Sequence, residues 1–245
     1  MTEQYDGELA TQYTAMQQNF HPINALTHPT ALRECGDLRG KRVLDLACGS
    51  GYSSRLLAAS GALVIGVDIS ADMIALAEAQ GGDIQYIRAN AMGLHLHMPL
   101  FDVVTASFLF HYANTIQRLD SMVHTATRHL KRGGKLVSLN TPPDPICPQM
   151  PNMGHWSEWV EGDKPYVEGS RVRLQILGPS GEEACKPLEY YYWAQQTYDG
   201  LLTLAGFDHI RWVPHTFPRE LRDKYDNWPA LEAHNASCVV TAIKL

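Results

Sequence analysis

Short apolar runs alternate with helix-forming stretches for about a hundred residues from Lys41 onward. Each apolar run is short enough for one strand, and each helical stretch is closed by glycine. This alternation requires a parallel sheet with helices on both faces, so it predicts a doubly wound α/β fold. The predicted strands span 41–47, 62–70, 83–91, 101–112 and 135–143, and the helices between them span 52–61, 71–82 and 115–134.

The segment before this pattern, residues 1–34, is polar and helix-prone. Tyr5, Leu9, Tyr13 and Met16 recur at helical spacing and form one apolar stripe. We expect the stripe to pack on the domain that follows, with the segment acting as a helical lid over a ligand.

Residues 142–187 interrupt the alternation with prolines, glycines and two tryptophans, which predicts an insertion that covers the substrate at the edge of the sheet. The regular pattern then resumes. We predict one domain over 1–245, with further strands at 187–194, 208–214 and 235–245 and a helix at 196–207.

Composition excludes several classes of function. The 245 residues carry 20 basic and 26 acidic side chains, a net charge of −6, without the basic stripe that a nucleic-acid binder usually shows. The five cysteines form no CxxC pair, which disfavours a disulfide framework or a zinc site and fits a reducing cytoplasm. No apolar run is long enough to span a membrane. We therefore expect a cytoplasmic protein that acts on a small molecule, as a monomer or homodimer.

A glycine-rich turn follows the first predicted strand, where Gly49 and Gly51 remove side chains at a sharp bend close to a ligand. Asp68 ends the second predicted strand, and a carboxylate there can accept hydrogen bonds from both ribose hydroxyls. Helix capping is the alternative role for Asp68, but Ser70 fills that role well. Asp45, four residues before Gly49, would repel the pyrophosphate of a dinucleotide and attract an amino group or a sulfonium. The charges therefore favour S-adenosylmethionine over NAD(P).

These residues resemble the class I S-adenosylmethionine-dependent methyltransferase family. Residues 45–51, DLACGSG, are similar to its first motif, D/E-x-G-x-G-x-G, with Ala47 in place of the first glycine. The stretch VDIS with Met73 is similar to the second motif, and RANAMGL to the third, where Asn90 replaces the family's acid. The resemblance covers the chain except about 142–187. It implies S-adenosylmethionine as cofactor, S-adenosylhomocysteine as product, no metal, and a seven-stranded sheet whose last strand is antiparallel.

The resemblance, together with the charge argument, predicts which residues bind the cofactor. They are Tyr13, Asp45, Ala47, Gly49, Gly51, Asp68, Ile69, Met73, Asn90, Ala91 and Ser107.

All five tryptophans follow residue 155, and a run of aromatic residues occupies 190–193, which favours a pocket that stacks a flat heterocycle. Packing in the core is the alternative for these aromatics, especially for Tyr191. The resemblance extends to the family's natural-product branch, and it implies N-methylation of an azapteridine-like acceptor as the favoured reaction. O- or C-methylation of another metabolite, a silent cofactor-binding protein and an NAD(P)-dependent oxidoreductase remain alternatives. The predicted acceptor-binding residues are Tyr5, Phe108, Tyr112, Asn140, Trp156, Trp159 and Tyr192.

His111 follows the fourth predicted strand and is a candidate general base, because the ordinary pKa of histidine lies near neutrality. A packed histidine at the turn is the alternative. His95 and His97 alternate onto one face of an extended segment, but no nearby third ligand completes a metal site.

Overall fold

The computed structural model describes residues 5–19, 21–141, 156–160, 167–176, 183–215 and 237–245, with side chains given except at 18–26 and 156–160. The helices are α1 Glu8–Asn19, α2 His21–Cys35, α3 Tyr52–Ala59, α4 Ala71–Ala79, α5 Ile116–His129 and α6 Gln195–Leu204. The strands are β1 Arg42–Leu46, β2 Leu63–Asp68, β3 Gln85–Arg88, β4 Phe101–Ser107, β5 Leu130–Asn140, β6 Trp156–Val160, β7 Arg171–Ile176, β8 Leu188–Tyr191, β9 Phe207–Pro214 and β10 Cys238–Lys244.

Seven strands form the main sheet in the order β3-β2-β1-β4-β5-β10-β9. Strand β1 pairs in parallel with β2 and β4, whereas β10 is antiparallel to both β5 and β9. The predicted α/β class and the antiparallel last strand are therefore confirmed.

Alternating side chains of the central strands pack into two hydrophobic cores, one on each face of the sheet. Leu44 and Val104 pack with Leu119 of α5 on one face. Val43 and Val103 pack on the other, with Leu57 of α3 and other side chains. Because successive side chains of a strand point to opposite faces, a strand covered by helices on both sides must be apolar nearly throughout.

The strand predicted at 187–194 does not rejoin the main sheet. Strand β8 pairs antiparallel with β7, and β7 pairs antiparallel with β6, so these three form a separate sheet. Trp193, just after β8, joins this sheet to the main domain through a 2.8 Å hydrogen bond from its indole N–H to the carbonyl of Ala113. The strand pattern was correct, but the pairing partner was wrong because alternation within one segment does not specify its neighbour.

The apolar stripe of the leader packs on two partners, and one of them is the expected main domain, where the Tyr5 ring lies edge to face with Tyr112. Leu9 and Met16 of α1 are buried against Ile176 and Leu188 of the three-stranded sheet. The leader and the small sheet therefore pack together at this apolar cluster. No helix in the described part of the chain combines the length and apolarity needed to cross a bilayer.

Candidate active site

The turn after β1 has left-handed backbone at three positions. Ala47 has φ 57°, Gly49 φ 53° and Gly51 φ 78°. Glycine is favoured at position 51 by the left-handed backbone, and a Cβ there would also displace the side-chain ends of Tyr86 and Arg55. A Cβ on Gly49 would meet no atom within 4 Å, so glycine at that position keeps a space beside the backbone free.

Asp68 at the end of β2 holds this turn in place. Its Oδ2 accepts a 2.9 Å hydrogen bond from the Gly49 N–H, and its Oδ1 accepts one of 2.9 Å from the Ser70 N–H. Burial raises the pKa of Asp68, and the backbone hydrogen bonds oppose that rise. Since a carboxylate has about four acceptor sites, both oxygens retain capacity for a ligand's hydroxyl groups.

Asp45 lies beneath the turn and not on a cavity wall. Its Oδ2 accepts hydrogen bonds of 2.6 Å from both Ser53 and Ser54 at the start of α3, and its Oδ1 accepts one of 2.8 Å from Thr105 on β4. The side chain is fully buried, and burial raises its pKa despite these three donors. Asp45 therefore ties β1, β4 and α3 together below the glycine turn, so any charge effect on a ligand acts from behind the wall.

A cavity lies above the turn and beside Asp68. Eight predicted cofactor residues line it: Tyr13, Ala47, Gly49, Asp68, Ile69, Met73, Ala91 and Ser107. Three predicted acceptor residues line it as well: Tyr5, Phe108 and Tyr112.

The cavity is acidic. Its described lining contains two carboxylates, Asp68 and Glu189, and neither lysine nor arginine. Glu189 is paired with Arg171 and Arg173, which lie outside the lining, so the charge that acts on a ligand is mainly that of Asp68. That carboxylate would repel a pyrophosphate and attract a sulfonium. The electrostatics therefore disfavour a dinucleotide.

Comparisons with known proteins agree with this fold. Residues 43–134 match the family model for a methyltransferase domain. The chain is 38% identical over 120 residues to a demethylmenaquinone methyltransferase of Clavibacter sepedonicus, with 46% of this chain and 47% of that one covered, so it spans about half of that relative. A structure of an S-adenosylmethionine-dependent methyltransferase from Clostridium acetobutylicum aligns with a TM-score of 0.66 at 16% identity, over 95% of this chain and 98% of that one. The chain has the class I methyltransferase fold.

A second relative matches over more of its length. The demethylmenaquinone methyltransferase of Lactococcus lactis is 26% identical over 242 residues, which covers 88% of each chain. The similarity therefore extends beyond the segment that matches the domain model.

Several predicted site residues lie off the cavity of this methyltransferase fold. The Asn90 Oδ1 accepts a 2.9 Å hydrogen bond from the Met92 N–H, so it closes a local turn. Asn140 is fully buried at the end of β5, with its Nδ2 3.1 Å from the hydroxyl of Ser138. Gly51 lies against the side chains of Tyr86 and Arg55 and not on the cavity. The side chains of Trp156 and Trp159 lie outside the described residues.

His111 is packed behind the wall and does not line the cavity. It is 3% exposed and lies among the rings of Phe108, Tyr112 and Tyr190. Burial lowers its pKa to about 3, and its Nδ1 has no hydrogen-bond partner. This geometry favours the packed-histidine alternative over a general base.

The face of β8 that meets the cavity was predicted one residue out of register. Glu189 and Tyr191 line the cavity, whereas Leu188 and Tyr190 are buried on the opposite face and Tyr192 is not in the lining. Tyr191, which the sequence argument assigned to the core, is thus an aromatic wall residue. Alternation was the available signal, but only packing decides which set faces the ligand.

Several further residues line the cavity although the sequence did not predict them as site residues. Among them are residues on helices α1, α2 and α3, close to the glycine turn. His28 on α2 and Tyr52 at the start of α3 face the cavity with their rings 4.9 Å apart and edge to face. Gln17 on α1 lines it too, and its Oε1 accepts a 3.2 Å hydrogen bond from Ser50 in the turn. No local motif marks these positions, because only the packing of the leader over the turn brings them there.

Proposed function

We propose that this protein transfers a methyl group from S-adenosylmethionine to a small planar acceptor. The observation that carries the proposal is Asp68, which lies beside an open glycine turn in an acidic cavity at the carboxyl end of a parallel sheet. The similarity to methyltransferases over the same segment supports it.

The residues present fit this cofactor. Asp68 would accept hydrogen bonds from the ribose hydroxyls, and Ile69, Met73 and Ala91 would border the adenine. At Ala47 and Gly49 the backbone would lie close to the methionine part of the cofactor, because glycine keeps the space at position 49 free. S-adenosylmethionine, when bound, supplies both the electrophilic methyl group and its own leaving group. The protein's task is then to position the acceptor and exclude water.

The leader is positioned to act as the lid over this site. The Gly7 N–H donates a 2.6 Å hydrogen bond to Asp72 on α4, and the Ser70 hydroxyl lies 2.8 Å from the carbonyl of Tyr5. Ser70 also caps α4 by accepting from the Met73 N–H at 3.0 Å. The lid is therefore fastened at the residues next to Asp68, which couples its closure to the occupied cofactor site.

For the acceptor, the aromatic wall favours a flat ring. Tyr5, Phe108, Tyr112 and Tyr191 line one cavity, and aromatic faces stack planar molecules well. N-methylation of an azapteridine rests on this wall alone. Methylation of a quinol at carbon or oxygen is supported by the same aromatic wall and also by the similarity to demethylmenaquinone methyltransferases. We retain both as acceptor classes.

We place the activity in the cytoplasm. We expect the protein to act as a monomer or homodimer on small molecules and to bind neither nucleic acid nor membranes. The cysteines of the described residues, Cys35, Cys48, Cys185 and Cys238, are all free thiols. Unpaired cysteines are typical of a reducing compartment, which supports this placement.

Calorimetry with S-adenosylhomocysteine tests the proposal directly. Asp68→Asn should weaken binding about 100-fold, because hydrogen bonds to a charged group contribute about 1.5–3 kcal/mol each. Asp83→Asn, a change at an exposed aspartate away from the cavity, should leave binding unchanged. Transfer of a labelled methyl group to lumazine or to 1,4-dihydroxynaphthalene then distinguishes nitrogen from carbon or oxygen acceptors. Binding of NADH in place of S-adenosylhomocysteine would overturn the proposal.

A further inference from the structure

The most informative unassigned group in the cavity is the imidazole of His28. The residue is 8% exposed, and its Nδ1 lies 3.1 Å from the hydroxyl of Thr27. Its Nε2 has no hydrogen-bond partner among the described residues. This atom is not completely buried, whereas the Nδ1 atoms of His111 and His215 are buried and without a partner. When Nδ1–H donates to Thr27, Nε2 is the unprotonated nitrogen and carries a free lone pair on a side chain that lines the cavity.

The strand order places His28 on the acceptor side of the turn. Strands β2 and β4 flank β1 on opposite sides, so Asp68 and Ser107 lie at opposite sides of the turn that follows β1. His28 lines a smaller adjoining cavity together with Ser53 and Ser107. The imidazole is therefore on the β4 side, away from the carboxylate that would hold the ribose.

The two carboxylates on the described wall are already engaged, because Asp68 accepts hydrogen bonds from the backbone N–H groups of Gly49 and Ser70 and would hold the ribose. Glu189 forms ion pairs with Arg171 at 3.4 Å and Arg173 at 3.1 Å. Burial raises the pKa of Tyr13 to about 12, and it raises the pKa of Tyr5 and Tyr112 as well, so these phenols stay protonated near neutrality.

The surroundings of His28 keep its ring neutral. Burial, together with a smaller effect of His215 just after β9, lowers its pKa to about 4. The Nε2 of His215 is 2.6 Å from the hydroxyl of Ser237, and Arg33 in turn lowers the pKa of His215. Tyr52 packs edge-on against the His28 ring and carries no charge near neutral pH. The lone pair of His28 is therefore free at the pH of the cell.

We propose that His28 accepts the proton that the acceptor loses during methyl transfer, an inference that rests on the proposed function. The acceptor's lone pair forms the new bond to the methyl carbon, while the carbon–sulfur bond breaks and its electron pair stays on sulfur. The acceptor's proton passes to Nε2. One positive charge thus disappears from sulfur as one appears on the imidazole, and the loss of the sulfonium charge favours that protonation.

Sinefungin tests this position without knowledge of the acceptor, since it carries an amine-bearing carbon where S-adenosylmethionine carries the methylated sulfur. The amine should donate to Nε2, so His28→Asn should weaken sinefungin about tenfold relative to S-adenosylhomocysteine. His129→Asn is the matched control, because His129 is a buried histidine with a lowered pKa that does not line the cavity, and it should leave the ratio unchanged.

The outcomes separate the two proposals. If the wild-type protein does not bind S-adenosylhomocysteine, the proposed function fails, and this inference fails with it. If S-adenosylhomocysteine binds and His28→Asn does not alter the ratio, the role of His28 alone is refuted. Should that variant not fold, His28→Phe keeps the ring contact with Tyr52. The ¹⁵N chemical shift of Nε2 in the wild-type protein decides the question without a substitution, because sinefungin should move it and S-adenosylhomocysteine should not.

Discussion

Replacing His111 by phenylalanine should make the protein more stable, and the gain should be larger in acid than at neutral pH. The imidazole is buried among the rings of Phe108, Tyr112 and Tyr190, and its Nδ1 has no hydrogen-bond partner. A phenyl ring keeps the aromatic contacts and removes both the unpartnered nitrogen and the titration.

The magnitude follows from two contributions. A buried polar atom without a partner costs about 1–3 kcal/mol, so we expect a gain of about 1 kcal/mol at pH 7.5. The pKa of His111 is about 3 in the folded protein, below the value of about 6.5 in an unfolded chain. The unfolded state therefore binds the proton first, and stability present above pH 6.5 is lost as the pH falls toward 3. At about 1.4 kcal/mol per pH unit, this loss reaches about 2 kcal/mol at pH 5.0 and is absent in the phenylalanine variant.

Urea unfolding at pH 7.5 and pH 5.0 measures both contributions. His111→Gln separates them, because it removes the titration and leaves a buried polar side chain. His97→Asn, at an exposed histidine, should leave the stability at pH 7.5 unchanged. If His111→Phe loses as much stability between the two pH values as the wild-type protein does, His111 is not a neutral buried imidazole and the reasoning is refuted. Labelled methyl transfer should persist in His111→Phe, since His111 does not line the cavity.

Two further predictions concern the turn and the lid. Gly51→Ala should destabilise the protein by about 2 kcal/mol in thermal unfolding, because of its φ of 78° and the contact with Tyr86, whereas Gly200→Ala inside α6, where a Cβ meets nothing, should stabilise it by about 0.5–1 kcal/mol. Equal effects of the two substitutions would contradict the packing argument. Ser70→Ala should release the leader, which should speed its cleavage by chymotrypsin and weaken S-adenosylhomocysteine, since it removes the hydrogen bond to Tyr5. Ser60→Ala, at the end of α3, is the control, and unchanged cleavage in Ser70→Ala would show that Ser70 does not fasten the lid.

The fold was predictable because its signals are local. The alternation that begins at Lys41 specifies strands buried on both faces, and the two cores built on Val43 and Leu44 are the direct result. The turn at Gly49 and the acid at Asp68 were predictable too, because the ends of neighbouring parallel strands must meet at one edge of the sheet.

The boundary between α5 and β5 shows where local signals become insufficient. The helix was predicted to run to the glycines at 133–134, but it ends at His129, and β5 begins at Leu130. Leu130 is fully buried and pairs with Phe101 at the start of β4, so pairing with a distant strand overrides the helical preference of the intervening residues.

The sequence alone thus determined the sheet, the position of the glycine turn and the acid beside it, since each depends on spacing within a few residues. Tertiary structure alone decided that Asp45 lies beneath the turn, that Tyr191 rather than Tyr192 faces the cavity, and that His28 reaches it from the leader. These outcomes depend on how segments far apart in the chain pack against each other, and one-dimensional periodicity does not contain that information.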